Sequence, residues 1–371
     1  MRTKSEKKIR YAVVGLGYIS QIAVLPAFRH AQSNSTLTAL VSGDPAKLRA
    51  ISKKYGIKSS YSYEQYADCL AGGEVDAVYI GLPNHMHRAY AEAAARAGVH
   101  ILCEKPMALD ETECEAMIAE AEKSNVKLMI GYRLHFERAN LQAVAWVNSG
   151  KIGDPKLFSS VFSQQVKQGN SRLKEDVGGG PIYDLGVYCI NAARYLFKAE
   201  PEEVMAWHAK GDDARFEEVP ACTAAVLRFP GDRIASFICS FGASDRSAYE
   251  VVGSKGVVKL DPAYEMAGTL KAELTVGNRT SRRTFEKRDQ FAPELVYFSD
   301  CILKNREPEP GGREGLADVR IIQAILQSAD TNRPVAVKKA EIAARPNLGQ
   351  EITRPALTKV PRLVKAEPPA A

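Results

Sequence analysis

The rhythm of apolar and polar positions changes about a third of the way along the chain. Through the first 130 residues, short apolar runs recur at 9–14, 37–41, 75–81, 100–103 and 127–131. They are too unbroken for a half-exposed strand and read as strands buried on both faces. Between them lie stretches with helical spacing at 19–31, 45–55, 87–97 (Ala-rich, closed by Gly98) and 111–124. Strands spaced by helices imply parallel pairing with right-handed crossovers. The expected unit is an α/β Rossmann domain, a doubly wound parallel sheet, over residues 1–133.

From about Phe136 the spacing alters. A helix over 138–149 leads into strand-like runs at 156–165, 202–208, 222–229, 234–241, 248–253, 256–261 and 271–276, with turns such as Pro230-Gly231-Asp232. This pattern predicts an α+β domain with a mostly antiparallel, open sheet over residues 134–337. One helix is expected inside it at 182–197. Another at 315–329 carries Leu316, Val319, Ile322 and Leu326 on one face. Residues 338–371 hold five prolines and many Lys, Arg and Ala, so an extended or disordered tail is expected.

Composition adds little to this picture. The net charge of +6 over 371 residues is mild and mostly scattered, which argues against a nucleic-acid partner. No apolar stretch reaches membrane-spanning length. The basic start, residues 1–10, is followed by no apolar region typical of a signal peptide. The seven cysteines form no Cys-x-x-Cys pair and mostly sit in apolar runs, as reduced core residues do. A cytoplasmic protein is expected.

The chemistry sits at three places. Gly15-Leu16-Gly17 follows the first strand, where Gly15 permits a tight turn and Gly17 lets backbone N–H groups approach a pyrophosphate. Ser20 stands where the full fingerprint has a third glycine. At the end of the second strand an acid would accept from a ribose 2′-hydroxyl. Ser42 is there instead, with Lys47 on the next helix able to face a 2′-phosphate, which favours NADP. Asp44 reads as a plain helix N-cap.

The second place is Cys103-Glu104-Lys105-Pro106, and the third is Gly178-Gly179-Gly180 leading to Asp184 and Tyr188. Asp184 and Tyr188 are four apart and share a helical face, which Asn191 and Tyr195 continue. A Lys cation about 4 Å from a tyrosine oxygen, at an effective dielectric of ~20, favours the phenolate by about 4 kcal/mol. Lys105 with Tyr188 is therefore an adequate acid–base pair, with Asp184 orienting Lys105 or bonding substrate. The structural alternative makes Asp184 a helix N-terminal acid and Tyr188 a packed aromatic. His85 and His87 have no third ligand at a suggestive spacing, so no metal is expected. The polar loop 164–174 is expected to border the substrate.

With these motifs the chain resembles the glucose–fructose oxidoreductase and inositol dehydrogenase (Gfo/Idh/MocA) family over about residues 9–337. Many members carry His at the position of Tyr188, and Tyr there resembles the subgroup of glucose–fructose and aldose–aldose oxidoreductases. The resemblance implies that Lys105 and Tyr188 are catalytic, with Asp184 their partner. It places Gly15, Gly17, Tyr18 and Ile19 on the pyrophosphate, and Ser42, Lys47 and Tyr63 around the adenosine phosphate. Leu82, Asn84, His87 and Glu104 would line the nicotinamide side with Arg133 nearby. An open sheet that forms a dimer interface is also implied, so a homodimer or dimer of dimers is expected. The glucose–fructose enzyme has a long N-terminal arm that helps hold NADP, whereas about eight residues precede the first strand here. At ~3.1 Å per residue an extended C-terminal tail could cross to a partner subunit and serve instead.

The expected activity is oxidation of a cyclic aldose at C1 to the lactone, either with a retained cofactor that reduces a second sugar or with an exchanging one. The exchanging form would be an NADP-dependent aldose or dihydrodiol dehydrogenase. A non-catalytic NADP-binding regulator is the remaining alternative, although such a protein would be expected to have lost Lys105, Asp184 and Tyr188.

Overall fold

The computed structural model describes residues 7–369 apart from 267 and 343. Six parallel strands form the first sheet: β1 (Ile9–Val14), β2 (Ser35–Val41), β3 (Ser59–Tyr61), β4 (Ala77–Ile80), β5 (His100–Glu104) and β6 (Leu128–Gly131), in the order β3-β2-β1-β4-β5-β6. The order reverses between β1 and β4, and in sheets of this kind a ligand crevice opens above the strand ends at such a reversal. β1 is buried along almost its whole length, with Ala12 and Val14 facing one core and Tyr11 and Val13 another. The crossovers carry α1 (Leu25–Ala27), α2 (Pro45–Tyr55), α3 (Tyr66–Ala71), α4 (His87–Arg96) and α5 (Glu111–Lys123).

The helix expected over 19–31 is shorter and differently wound. A π-helical turn, Ser20–Val24, runs into the three residues of α1, with Pro26 inside. β3 and α3 are too short to leave a periodic signal.

After α6 (Arg138–Asn148) comes β7 (Pro155–Ser163), then a π-helical turn (Ile182–Gly186) that continues as α7 (Val187–Phe197). The remaining strands are β8 (Glu203–Ala209), β9 (Cys222–Phe229), β10 (Arg233–Ser240), β11 (Arg246–Gly253), β12 (Gly256–Leu260), β13 (Leu270–Val276), β14 (Arg279–Phe285) and β15 (Val335–Ala336). With β7 they build a nine-stranded sheet, β14-β13-β12-β11-β7-β10-β9-β8-β15. The pairing is antiparallel except between β7 and β10, as the mostly antiparallel expectation requires. One face of this sheet is covered by α6, α7 and α9 (Gly312–Thr331). The other face exposes Leu157, Val161, Trp207, Val226 and Ile238.

α8 (Ala292–Leu303) gave no sequence signal but reaches back to the first sheet. Its Ser299 hydroxyl is 2.8 Å from the Tyr11 hydroxyl and 2.7 Å from that of Ser35, and Phe298 packs in the core around Tyr11. The tail has almost no regular structure, as expected, but it lies on its own chain. Arg345 pairs with Glu200, Arg354 Nε donates to the His30 carbonyl at 3.0 Å, and Val364 packs against the core around Tyr11. All seven cysteines are free, and no helix among the described residues is long and apolar enough to cross a membrane.

Candidate active site

Gly15 closes β1 with φ +91°, and a Cβ there would come within 2.5 Å of the Gly81 carbonyl oxygen at the end of β4. Only glycine fits this left-handed turn, which ties the two strand ends at the sheet's reversal together. Around Gly17 a Cβ would meet nothing within 4 Å, so the backbone faces open space. Gly17, Tyr18 and Ile19 line a cleft of about 420 Å³ together with Leu82, Asn84, Glu104, Lys105, Arg133, Asp184 and Tyr188. A narrow glycine turn opening onto a cleft at a helix start suits a dinucleotide pyrophosphate.

At the adenosine end, Ser42 is buried at the tip of β2, and Tyr63 packs its ring against Gly43. Asp44 caps α2, accepting from the backbone of Ala46 at 2.8 Å and of Lys47 at 3.1 Å. These bonds and the pairing with Lys365 hold its carboxyl below the usual range. Asp44, the acid two residues beyond Ser42, is therefore occupied by helix capping. Lys47 sits half-buried on the first turn of α2.

The reacting end is built from four elements. Lys105 follows β5, and its Nζ donates to the Asp184 carbonyl at 2.9 Å and to Asp184 Oδ1 at 3.1 Å. Arg172, on the loop after β7, donates from Nε to the other oxygen of Asp184 at 2.7 Å. Burial works against the ionised carboxyl, but Arg172 and Lys105 outweigh it and hold Asp184 well below the usual range. Burial likewise disfavours the Lys105 ammonium, yet Tyr188, Asp184 and Glu104 together raise its pKa. Lys105 is a fixed cation and Asp184 a fixed anion, so neither is suited to take up a proton near neutrality.

Tyr188, half-buried, lies between two cations. The Lys105 ammonium stands over its ring, 4.7 Å from the centroid. Arg133 Nε donates to the hydroxyl at 3.1 Å. The Arg133 guanidinium is itself fixed by Gln290 and the Tyr264 carbonyl. Phe162 and Tyr264 complete the pocket around the ring.

One expectation needs correction. His87 does not line the cleft. It is fully buried, its ring nitrogens 3.0 Å from the carbonyls of Leu82 and Pro106, and burial pushes its pKa down. It is a strut holding the β4 loop against the Lys105–Pro106 segment. Asn191 and Tyr195 continue the helical face of Tyr188 along α7, and there it runs into the core. Asn191 bonds His135, Glu314 and Asp318 in the core, and Tyr195 bonds Asn140.

Sequence reasoning missed Arg172. Its only sequence signal is the polar loop itself, whose Gln164, Ser171 and Arg172 all line the cleft. Glu104 accepts from the Tyr79 hydroxyl and the Lys105 amide, and burial raises its pKa. Among the described residues no group of His, Cys, Asp and Glu could hold a metal ion.

Rossmann crevice and basic reaction centre define an NAD(P)-dependent oxidoreductase. Residues 9–132 match the oxidoreductase family with an NAD-binding Rossmann fold, and residues 140–259 match the GFO/IDH/MocA C-terminal domain. The chain belongs to the Gfo/Idh/MocA family. It is similar to the structure of aldose–aldose oxidoreductase from Caulobacter crescentus complexed with glycerol, at 38% identity over 89% of this chain and 100% of that one, with a TM-score of 0.85. It is 30% identical to the NADP⁺ D-xylose 1-dehydrogenase of Haloarcula marismortui, over 90% of this chain and 94% of that protein. A 3-ketoreductase from Actinomadura kijaniata, in complex with NADP and TDP-benzene, is 25% identical over 87% of this chain and 98% of its own, with a TM-score of 0.79.

Proposed function

We propose that the protein is an NADP(H)-dependent sugar oxidoreductase that oxidises a cyclic aldose at C1 to the lactone. The observation that carries this reading is the convergence of Lys105, Arg133, Asp184 and Tyr188 on the cleft that Gly17 and Tyr18 open. NADP, when bound, supplies the hydride acceptor in oxidation and the donor in reduction. Gly15, Gly17, Tyr18 and Ile19 hold its pyrophosphate, Ser42, Lys47 and Tyr63 the adenosine phosphate end, and Leu82, Asn84 and Glu104 the nicotinamide side. The choice of NADP is supported by Ser42 where an acid would serve NAD, and by the capping role of Asp44.

Tyr188 takes the sugar hydroxyl proton as hydride leaves the carbon, and returns it in the reverse direction. Arg133 donates to its oxygen and Lys105 stands over its ring, so both cations are placed at the group that exchanges the proton. Asp184 and Arg172 keep Lys105 in place. The regulator alternative is disfavoured because these groups are all present and mutually bonded.

The likeness to the Caulobacter enzyme supports a retained cofactor that passes hydride to a second sugar, and the likeness to D-xylose 1-dehydrogenases supports an exchanging one. Incubating the protein with glucose or xylose, with and without added NADP⁺, separates them. Lactone and a polyol formed together without added cofactor support the first. Lactone only with NADP⁺ supports the second, and no oxidation of any aldose under both conditions defeats the reading. We further propose division of the chain at residues 133 and 337, dimerisation through the outer face of the nine-stranded sheet, and a cytoplasmic location. Six buried thiols of the seven accord with that location.

A further inference from the structure

Residues 364–369 run from the turn after Gly17 to the rim of the cofactor cleft. Gln21 lies on the turn that follows Gly17 and is only 3% exposed. Its Nε2 donates to the Leu16 carbonyl at 2.9 Å, inside the glycine turn, and to the Val364 carbonyl at 3.0 Å. The Val364 amide donates back to Gln21 Oε1 at 2.8 Å. One residue on, the Lys365 ammonium sits 3.2 Å from Asp44 at the cap of α2. Four residues further, the Pro369 carbonyl accepts from the Lys167 amide at 3.0 Å, on the loop that carries Arg172, and Pro369 lines the cleft. The segment therefore ties the pyrophosphate turn and the adenosine end to the substrate loop.

We infer that residues 363–369 form a strap, contributed by the same chain, that closes over the bound dinucleotide, and that Lys365 is a further determinant for its 2′-phosphate. This rests on the dinucleotide reading above. Lys365 stands at the α2 cap next to Ser42 and Lys47, and its present partner, Asp44, is already engaged by two backbone amides. A phosphate dianion at this cap is a stronger partner for the ammonium. Release of the nucleotide requires the strap to leave Gln21 and Lys167, so the strap acts chiefly on the dissociation rate.

The test is displacement of NADPH, followed by its fluorescence, from the full chain, a chain ending at Arg362, and the Gln21→Ala and Lys365→Ala variants. The point variants keep Val364 on its core patch should the shortened chain lose stability. NADPH should leave the shortened chain and Gln21→Ala roughly tenfold faster or more. Lys365→Ala should weaken NADPH by about tenfold and leave NADH unchanged. Equal release from all four proteins overturns the strap while the dinucleotide reading stands. Tighter binding by the shortened chain also overturns it and makes the segment a plug. No binding of either nucleotide by any of the four overturns the dinucleotide reading and the strap with it.

Discussion

Tyr188 receives two positive charges of different kinds, and the difference is testable. Arg133 acts at the oxygen, while Lys105 acts through the ring face and is held by Asp184. Arg133→Met removes the hydrogen bond to the oxygen, so kcat/KM on the best aldose substrate should fall roughly tenfold or more. An unchanged kcat/KM would deny Arg133 this part. Asp184 makes a separate prediction about stability. Its carboxyl is held low by Arg172 and Lys105 in the folded state, so its contribution is fully present above the unfolded value of ~3.9 and is lost as pH falls through the lower folded value. Urea denaturation should therefore show Asp184→Asn less stable than the parent at neutral pH, with the gap narrowing only in strong acid. Residues 105, 184 and 188 were legible because sequence spacing puts them on strand ends and one helical face. Arg172 was not, because nothing local in a polar loop says which side chain a distant aspartate selects.

The elements that position these residues depend on close backbone approach. A Cβ on Gly179 would lie 2.4 Å from the Lys174 carbonyl oxygen and 2.5 Å from that of Arg172. Gly179→Ala must push the substrate loop outward and take Arg172 off Asp184. Sugar KM should rise roughly tenfold or more, while NADPH affinity measured by fluorescence stays within about twofold. A changed NADPH affinity with an unchanged KM would place the loop elsewhere. α2, α5 and β9 were read from the sequence almost to the residue, since caps and alternation marked their ends. β14 was missed because every position but its last is exposed and no alternation survives at a polar sheet edge. α8 was missed for the opposite reason. It is buried on most sides against the first sheet, so its apolar residues show no stripe.

On the scale of the whole molecule, the unpaired surface is the outer face of the nine-stranded sheet. Register puts Val161, Ile238, Ala224 and Trp207 side by side across four adjacent strands. A contiguous apolar row of this kind marks an interface. Sedimentation should show a dimer for the parent and a monomer for the Trp207→Glu, Ile238→Glu double variant. A parent that sediments as a monomer would remove the dimer from the proposal.

On the proposed function the whole arrangement serves one step, proton transfer at Tyr188 coupled to hydride transfer from a sugar carbon. The decisive measurement is the first-turnover burst of nicotinamide reduction when protein saturated with NADP⁺ meets an aldose deuterated or unlabelled at C1. Deuterium should slow the burst, and Lys105→Ala and Tyr188→Phe should each slow it by roughly 10²–10⁴-fold while still binding NADP⁺. A burst of unchanged rate in both variants would contradict the assignment of the reacting centre.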